Sequence, residues 1–82
     1  MQDFHYVYRL RSATDPDQVY TGLTDNLNAR IRKHNAGGVP HTSKYRPWVL
    51  ESAHAFRSRE KAAGFEKYLK SGSGREFARR HF

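Results

Sequence analysis

Between Val19 and Asn35 the sequence VYTGLTDNLNARIRKHN changes period, and that change constrains the fold more than any other stretch of the chain. Tyr20 ends an alternation of apolar and polar residues, the pattern of a strand. Gly22 follows at once and allows a backbone turn that a residue with a side chain would resist. Thr24, Asp25 and Asn26 all have N-cap chemistry, and a helix from about Asp25 to Ala36 accounts for Leu27 and Ile31 at a four-residue spacing. Gly37-Gly38 stops that helix, because glycine takes the left-handed conformation that often follows a last turn. Arg30 falls three residues after Leu27 and one before Ile31, at about 100° per residue, so it lies beside the apolar stripe. Packing there holds its stem and leaves the guanidinium facing a groove.

The rest of the chain supplies partners for this strand, turn and helix. Phe4–Arg11, FHYVYRLR, alternates cleanly: Phe4, Tyr6, Tyr8 and Leu10 share one face of a strand, and His5, Val7, Arg9 and Arg11 share the other. Ser12–Asp17 is rich in turn formers and contains Pro16, so a second strand at about Gln18–Thr21 completes an antiparallel hairpin. Tyr8 and Tyr20 then stand on neighbouring strands, and the register decides whether they share a face. Gly37–Pro47, GGVPHTSKYRP, has neither helical nor strand period and reads as a loop. Trp48–Phe56 is a third strand, with Pro47 at its start, where a missing N–H is tolerated. Ser58 caps a second helix, about Arg59–Lys70, whose apolar stripe is Ala62, Phe65 and Leu69. Gly64 inside it costs roughly 1 kcal/mol relative to alanine, a cost that close packing would justify. Ser71-Gly72 ends that helix, and Ser73-Gly74-Arg75-Glu76 has the form of a capping box for a short last helix. The expected fold is α+β, a three-stranded antiparallel sheet flanked by helices in the order β-β-α-β-α-α, in one domain over residues 1–82.

A chain of 82 residues forms only a small core, and its five Tyr, five Phe and one Trp must supply much of it. With no cysteine, disulfides and thiolate metal sites are excluded. No apolar run approaches the ~20 residues of a membrane span, and the N-terminus lacks the parts of a signal peptide. A cytoplasmic protein without a membrane association is expected, and no obligate protein partner is evident. Charge points to the partner class. Fifteen Lys and Arg against eight Asp and Glu give a net charge of +7, a field that attracts polyanions, nucleic acid first among them. The loop adds His41, Thr42, Ser43, Lys44, Tyr45 and Arg46, groups of the kind that contact phosphate.

Glu66 is the most informative acid. It sits four residues after Ala62 and three before Leu69, at the edge of the buried stripe. A carboxylate there needs a partner to offset desolvation. Lys70 at i,i+4 is one, an arginine across the core another, and a divalent cation held by one carboxylate plus waters a third. Arg30 reads either as a groove cation or as a solvated one beside Arg32 and Lys33. Tyr8 and Tyr20 read as site residues or as core aromatics. His34, one turn after Arg30, also suits the dipole at a helix C-terminus. The five histidines show no zinc-ligand spacing.

Taken together, Tyr6-Val7-Tyr8, then Tyr20-Thr21-Gly22 after a hairpin turn, then Arg30, His34, and Glu66 within FEKYLK resemble the GIY-YIG nuclease superfamily. The likeness covers nearly the whole chain and is closest to small stand-alone bacterial members, whose typical stretches KYRPW (Lys44–Trp48) and LKSGSGRE (Leu69–Glu76) resemble. The resemblance implies divalent-metal-dependent phosphodiester hydrolysis in nucleic acid, DNA in the first instance, with Mg²⁺ or Mn²⁺. It implies that Glu66 holds the metal, that Arg30 stabilises charge on the phosphate, and that Tyr20 is the base for the attacking water. Tyr8 would shape its hydrogen bonding, and His34 would assist near the nucleophile or phosphate. Arg32, Lys33, Lys44 and Arg46 would contact the nucleic acid. A fixed guanidinium and a metal suit a phosphodiester, whose oxygens gain charge as water attacks. Two positions depart from the family pattern: Tyr6 replaces the glycine of the first tripeptide and Thr21 the isoleucine of the second. The alternative is a non-catalytic, basic nucleic-acid-binding module on the same fold.

Overall fold

The computed structural model describes residues 4–82. Its elements are β1 (His5–Ser12), β2 (Val19–Thr24), α1 (Leu27–Asn35), a short 3-10 turn (Ser43–Tyr45), β3 (Trp48–Phe56), α2 (Arg59–Leu69) and α3 (Gly72–His81). The three strands form one antiparallel sheet in the order β2-β1-β3. This is the expected α+β arrangement, with the aromatic-rich β1 at its centre.

The alternation in β1 divides the core. Val7 points to one face and is buried with Ala62, Leu69 and Ala78 of α2 and α3. Tyr8 and Leu10 point to the other and are buried with Trp48, flanked by Leu27 and Ile31 of α1. Both faces of a central strand are therefore covered, which is how so short a chain buries enough apolar surface to fold. The register shifts between Arg9, opposite Ser52, and Leu10, opposite Leu50, so Glu51 is the extra residue of a bulge. Its carboxylate accepts from both Arg9 and Arg11, at 2.8 Å each.

Three boundaries differ most from the sequence reading. β2 runs on through Gly22 to Thr24, so Gly22 is inside a strand and makes no turn. α1 starts at Leu27; among the candidate caps it is Asn26 whose side chain accepts from the Ala29 N–H, at 3.1 Å. α3 starts at Gly72 and is capped by Ser71, which accepts from the Gly74 N–H. The box from Ser73 to Glu76 does not form, and Glu76 pairs with Arg79 and Arg80. The cause is the tight corner after α2: Gly74 lies so close to the Tyr68 carbonyl that a Cβ there would collide with it. Gly64 is the opposite case. It is exposed, with nothing within 4 Å of where a Cβ would stand, so close packing does not account for it. At the end of α1, Gly37 takes φ 83°, and the N–H groups of Gly37 and Gly38 close onto the carbonyls of His34 and Lys33.

Candidate active site

The β1–β2 register sets Tyr8 opposite Gly22 and Leu10 opposite Tyr20. Tyr8 and Tyr20 are therefore diagonal neighbours on one face, with ring centroids 6.2 Å apart. The Tyr8 ring crosses directly over Gly22: a Cβ at that position would lie 2.5 Å from Cζ and 2.9 Å from Cε1 of the tyrosine. The glycine thus serves space rather than backbone freedom. Tyr6, in place of the family's first glycine, is half-buried beside Phe4, with 6.4 Å between centroids.

His34 is delivered to the same place by the last turn of α1 and is fully buried. Its Nε2 is 2.9 Å from the Tyr8 hydroxyl and its Nδ1 is 2.9 Å from Thr42 Oγ1. Its ring lies 4.8 Å from that of Tyr20. Burial, and then the Arg30 and Lys33 charges, push the His34 pKa down, so the imidazole is neutral. Both ring nitrogens are thus engaged inside the protein, by Tyr8 and by Thr42. The Tyr8 pKa is pushed well up, first by burial and then by Tyr20; Arg30 opposes the shift and Glu66 adds to it. Tyr8 is therefore a fixed phenol. Its hydroxyl feels both the Arg30 guanidinium and the Glu66 carboxylate, although these come from helices on opposite faces of the sheet.

Of the three partners considered for Glu66, Lys70 is present, with Nζ 3.2 Å from Oε2. The lysine side chain is 52% exposed, and so open a pair contributes less than about 1 kcal/mol. It does not lock the carboxylate. Among the described residues no three His, Asp or Glu side chains converge, so a divalent ion at Glu66 would take one protein carboxylate and fill its other positions with water and phosphate. That donor set fits Mg²⁺ or Mn²⁺.

Arg30 is half-buried with no ion pair among the described residues. Arg32 and Lys33 are exposed on α1. Lys44 lies over the Tyr45 ring at 5.3 Å, and Arg46 donates through Nε to the Ser43 carbonyl at 2.6 Å while its guanidinium covers Gly37. Both are exposed cations of the loop before β3. Thr42, grouped by sequence with the phosphate-facing donors, is instead 1% exposed and sits under the site. A cleft of about 670 Å³ lies along β2 on the α2–α3 side, between Arg9, Tyr20, Leu69, Arg75 and Ala78, and is not lined by Tyr8, Arg30, His34 or Glu66.

The family described as "GIY-YIG catalytic domain" matches residues 4–80. Among curated proteins, a UPF0213 protein of Staphylococcus haemolyticus is 40% identical over 70 residues, covering 84% of this chain and 83% of that one. A UPF0213 protein of Haloquadratum walsbyi is 36% identical over 72 residues, covering 87% and 79%. The structure-specific endonuclease subunit SLX1 of Debaryomyces hansenii is 39% identical over 74 residues, 82% of this chain but 21% of that protein. The solution NMR structure of a UPF0213 protein from Bacillus halodurans superposes with a TM-score of 0.56 at 35% identity, covering 93% of this chain and 80% of that one. No helix among the described residues is long and apolar enough to cross a membrane.

Proposed function

This chain belongs to the GIY-YIG family, and we propose on that premise that it is a divalent-metal-dependent endonuclease hydrolysing phosphodiester bonds in DNA. One observation carries the reading: a buried Tyr8–His34 pair supports a half-buried Tyr20, and Arg30, one turn before His34 on α1, is half-buried with no ion pair among the described residues. A purely structural cluster gains nothing from placing a guanidinium without an ion pair beside it.

The roles follow from exposure and charge. Tyr8 is buried, holds its proton and is hydrogen-bonded to His34, so it orients the site rather than taking a proton from water. Tyr20 is only half-buried, which makes it the phenol that an attacking water reaches. Arg30 stabilises the charge that builds on the phosphoryl oxygens. Glu66 holds the divalent ion, which when bound supplies Lewis-acid polarisation of the phosphate. Arg32, Lys33, Lys44 and Arg46 contact the backbone of the nucleic acid around this centre.

The test is cleavage of supercoiled plasmid and of labelled branched and single-stranded DNA, with Mg²⁺ or Mn²⁺ and with chelator. Metal-dependent cutting by the wild type that is lost in Arg30→Ala and Glu66→Ala is the expected result. Salt-dependent binding without cutting, equal in wild type and both variants, would replace the nuclease with a binding module. The Lys70–Glu66 pair is the observation that keeps this second reading in view.

A further inference from the structure

The hydrogen-bond chain behind Tyr8 has a direction, and a residue outside the predicted site sets it. Thr42 Oγ1 donates to the Val39 carbonyl at 3.2 Å, which as a carbonyl only accepts. A hydroxyl has one proton; while that proton stays on the Val39 carbonyl, the threonine oxygen accepts in its 2.9 Å contact with His34 Nδ1. Nδ1 then carries the hydrogen. A neutral imidazole has only one, so Nε2 is bare and the Tyr8 hydroxyl donates to it.

We propose that Thr42 is a positioning residue: by accepting from Nδ1 of His34 it holds the Nδ1–H tautomer, and this fixes the Tyr8 hydroxyl as a donor directed inward, away from Tyr20. The opposite tautomer would reverse the chain. Nε2–H would point at the Tyr8 oxygen, the Tyr8 proton would turn outward toward the site, and Thr42 would have to give up its bond to Val39. With the inward direction, the remaining lone pairs of the Tyr8 oxygen are left to accept a hydrogen bond beside Tyr20. Thr42 is itself held rigidly. Its backbone N–H bonds the Val39 carbonyl and its own carbonyl accepts from Trp48 Nε1 at 2.9 Å. Both are main-chain contacts, so a valine of the same shape keeps them and removes only the hydroxyl. The role in catalysis rests on the nuclease reading above, whereas the tautomer does not.

Nitrogen NMR of ¹⁵N-imidazole protein reads the tautomer without any reaction. In the wild type, His34 should show a protonated Nδ1 and a bare Nε2. In Thr42→Val, Nδ1–H loses its buried acceptor and the two signals should exchange character, while Thr42→Ser keeps the wild-type pattern. In the cleavage assay Thr42→Val should lose about 10–100-fold in kcat, the usual cost of removing an outer-shell partner, with KM little changed and Thr42→Ser largely restored. A wild-type His34 protonated on Nε2, or a Thr42→Val spectrum unchanged from wild type, would overturn the proposal; the first needs no variant to fold. The expected spectra from a wild-type protein that never cuts would support the tautomer and fault the nuclease reading instead.

Discussion

Gly22→Ala is the sharpest single test of how the site is built. The added methyl would stand 2.5 Å from Cζ and 2.9 Å from Cε1 of Tyr8, well inside any relaxed carbon contact. Neither partner yields easily. Gly22 is paired to β1 in the middle of a ladder, and the Tyr8 ring is held by its bond to His34 and by packing against Tyr20. Overpacking of this kind costs about 1–3 kcal/mol. Pushing the ring aside also breaks the Tyr8–His34 bond and leaves a buried acceptor unpaired, again about 1–3 kcal/mol. The two overlap, so the sum is taken as roughly 2–4 kcal/mol. For a domain of this size each kcal/mol moves Tm by about 4–8 °C, so a fall on the order of 10–30 °C is expected. Gly64→Ala is the matched control. Its Cβ meets open space on an exposed helix, and it should gain up to about 1 kcal/mol. Thermal and urea melts of both variants decide the matter. A Gly22→Ala protein that melts within a few degrees of wild type would mean that Tyr8 does not lie over Gly22, and the site geometry would fall with it.

Three further outcomes are expected. Burial lowers the pKa of both His34 and His54, so the unfolded chain binds more protons than the folded one just below the ordinary value of 6.5. Stability should be full above that value and decline as pH falls from about 7 toward 5, with net proton uptake on unfolding at pH ~5.5; a flat stability curve across this window would contradict both assignments. Removing two α1 cations together, Arg32→Gln with Lys33→Gln, should weaken DNA binding at all sequences and reduce the slope of log Kd against log salt by about 1.5–2, and an unchanged slope would take α1 off the interface. Lys70→Met frees Glu66 from its competing cation, so the Mg²⁺ midpoint for cleavage should fall by no more than about fivefold, the limit for so exposed a pair; a midpoint that rises would show that Lys70 assists the metal site.

The fold was legible because its signals are local. The alternation of Phe4–Arg11 and the four-residue spacing of Leu27 and Ile31 each identify an element without knowledge of any other. The misread positions all depend on what another element brings close. Gly22 next to Tyr20 resembles turn chemistry until the register shows it facing Tyr8. Gly64 and Gly74 look alike in sequence, yet one faces solvent and the other abuts the Tyr68 carbonyl. Thr42 lies in a polar loop among real surface donors, and only the Trp48 indole and His34, arriving from different elements, make it a core residue. Arg46, by contrast, is exposed as its loop position suggests, with its Nε held by the Ser43 carbonyl.

The same dependence on tertiary structure sorts the charges, and the sorting bears on function. A net +7 says only that a polyanion is attracted. The fold pairs Arg9 and Arg11 with the bulge residue Glu51, and Arg79 and Arg80 with Glu76, so each pair of arginines presents one net charge rather than two. α1 has no acidic residue in its first turn, and Arg30, Arg32 and Lys33 on it have no ion pairs among the described residues. α1, whose last turn carries His34, is therefore one of the surfaces left to attract a polyanion. The half-burial of Arg30 matters here. A guanidinium partly withdrawn from water interacts with a phosphate more strongly than the fully exposed Arg32 or Lys33. Arg30→Lys keeps the charge but loses the planar fork. It should therefore retain most of the binding and lose most of the turnover, which separates attraction of the substrate from stabilisation of its transition state.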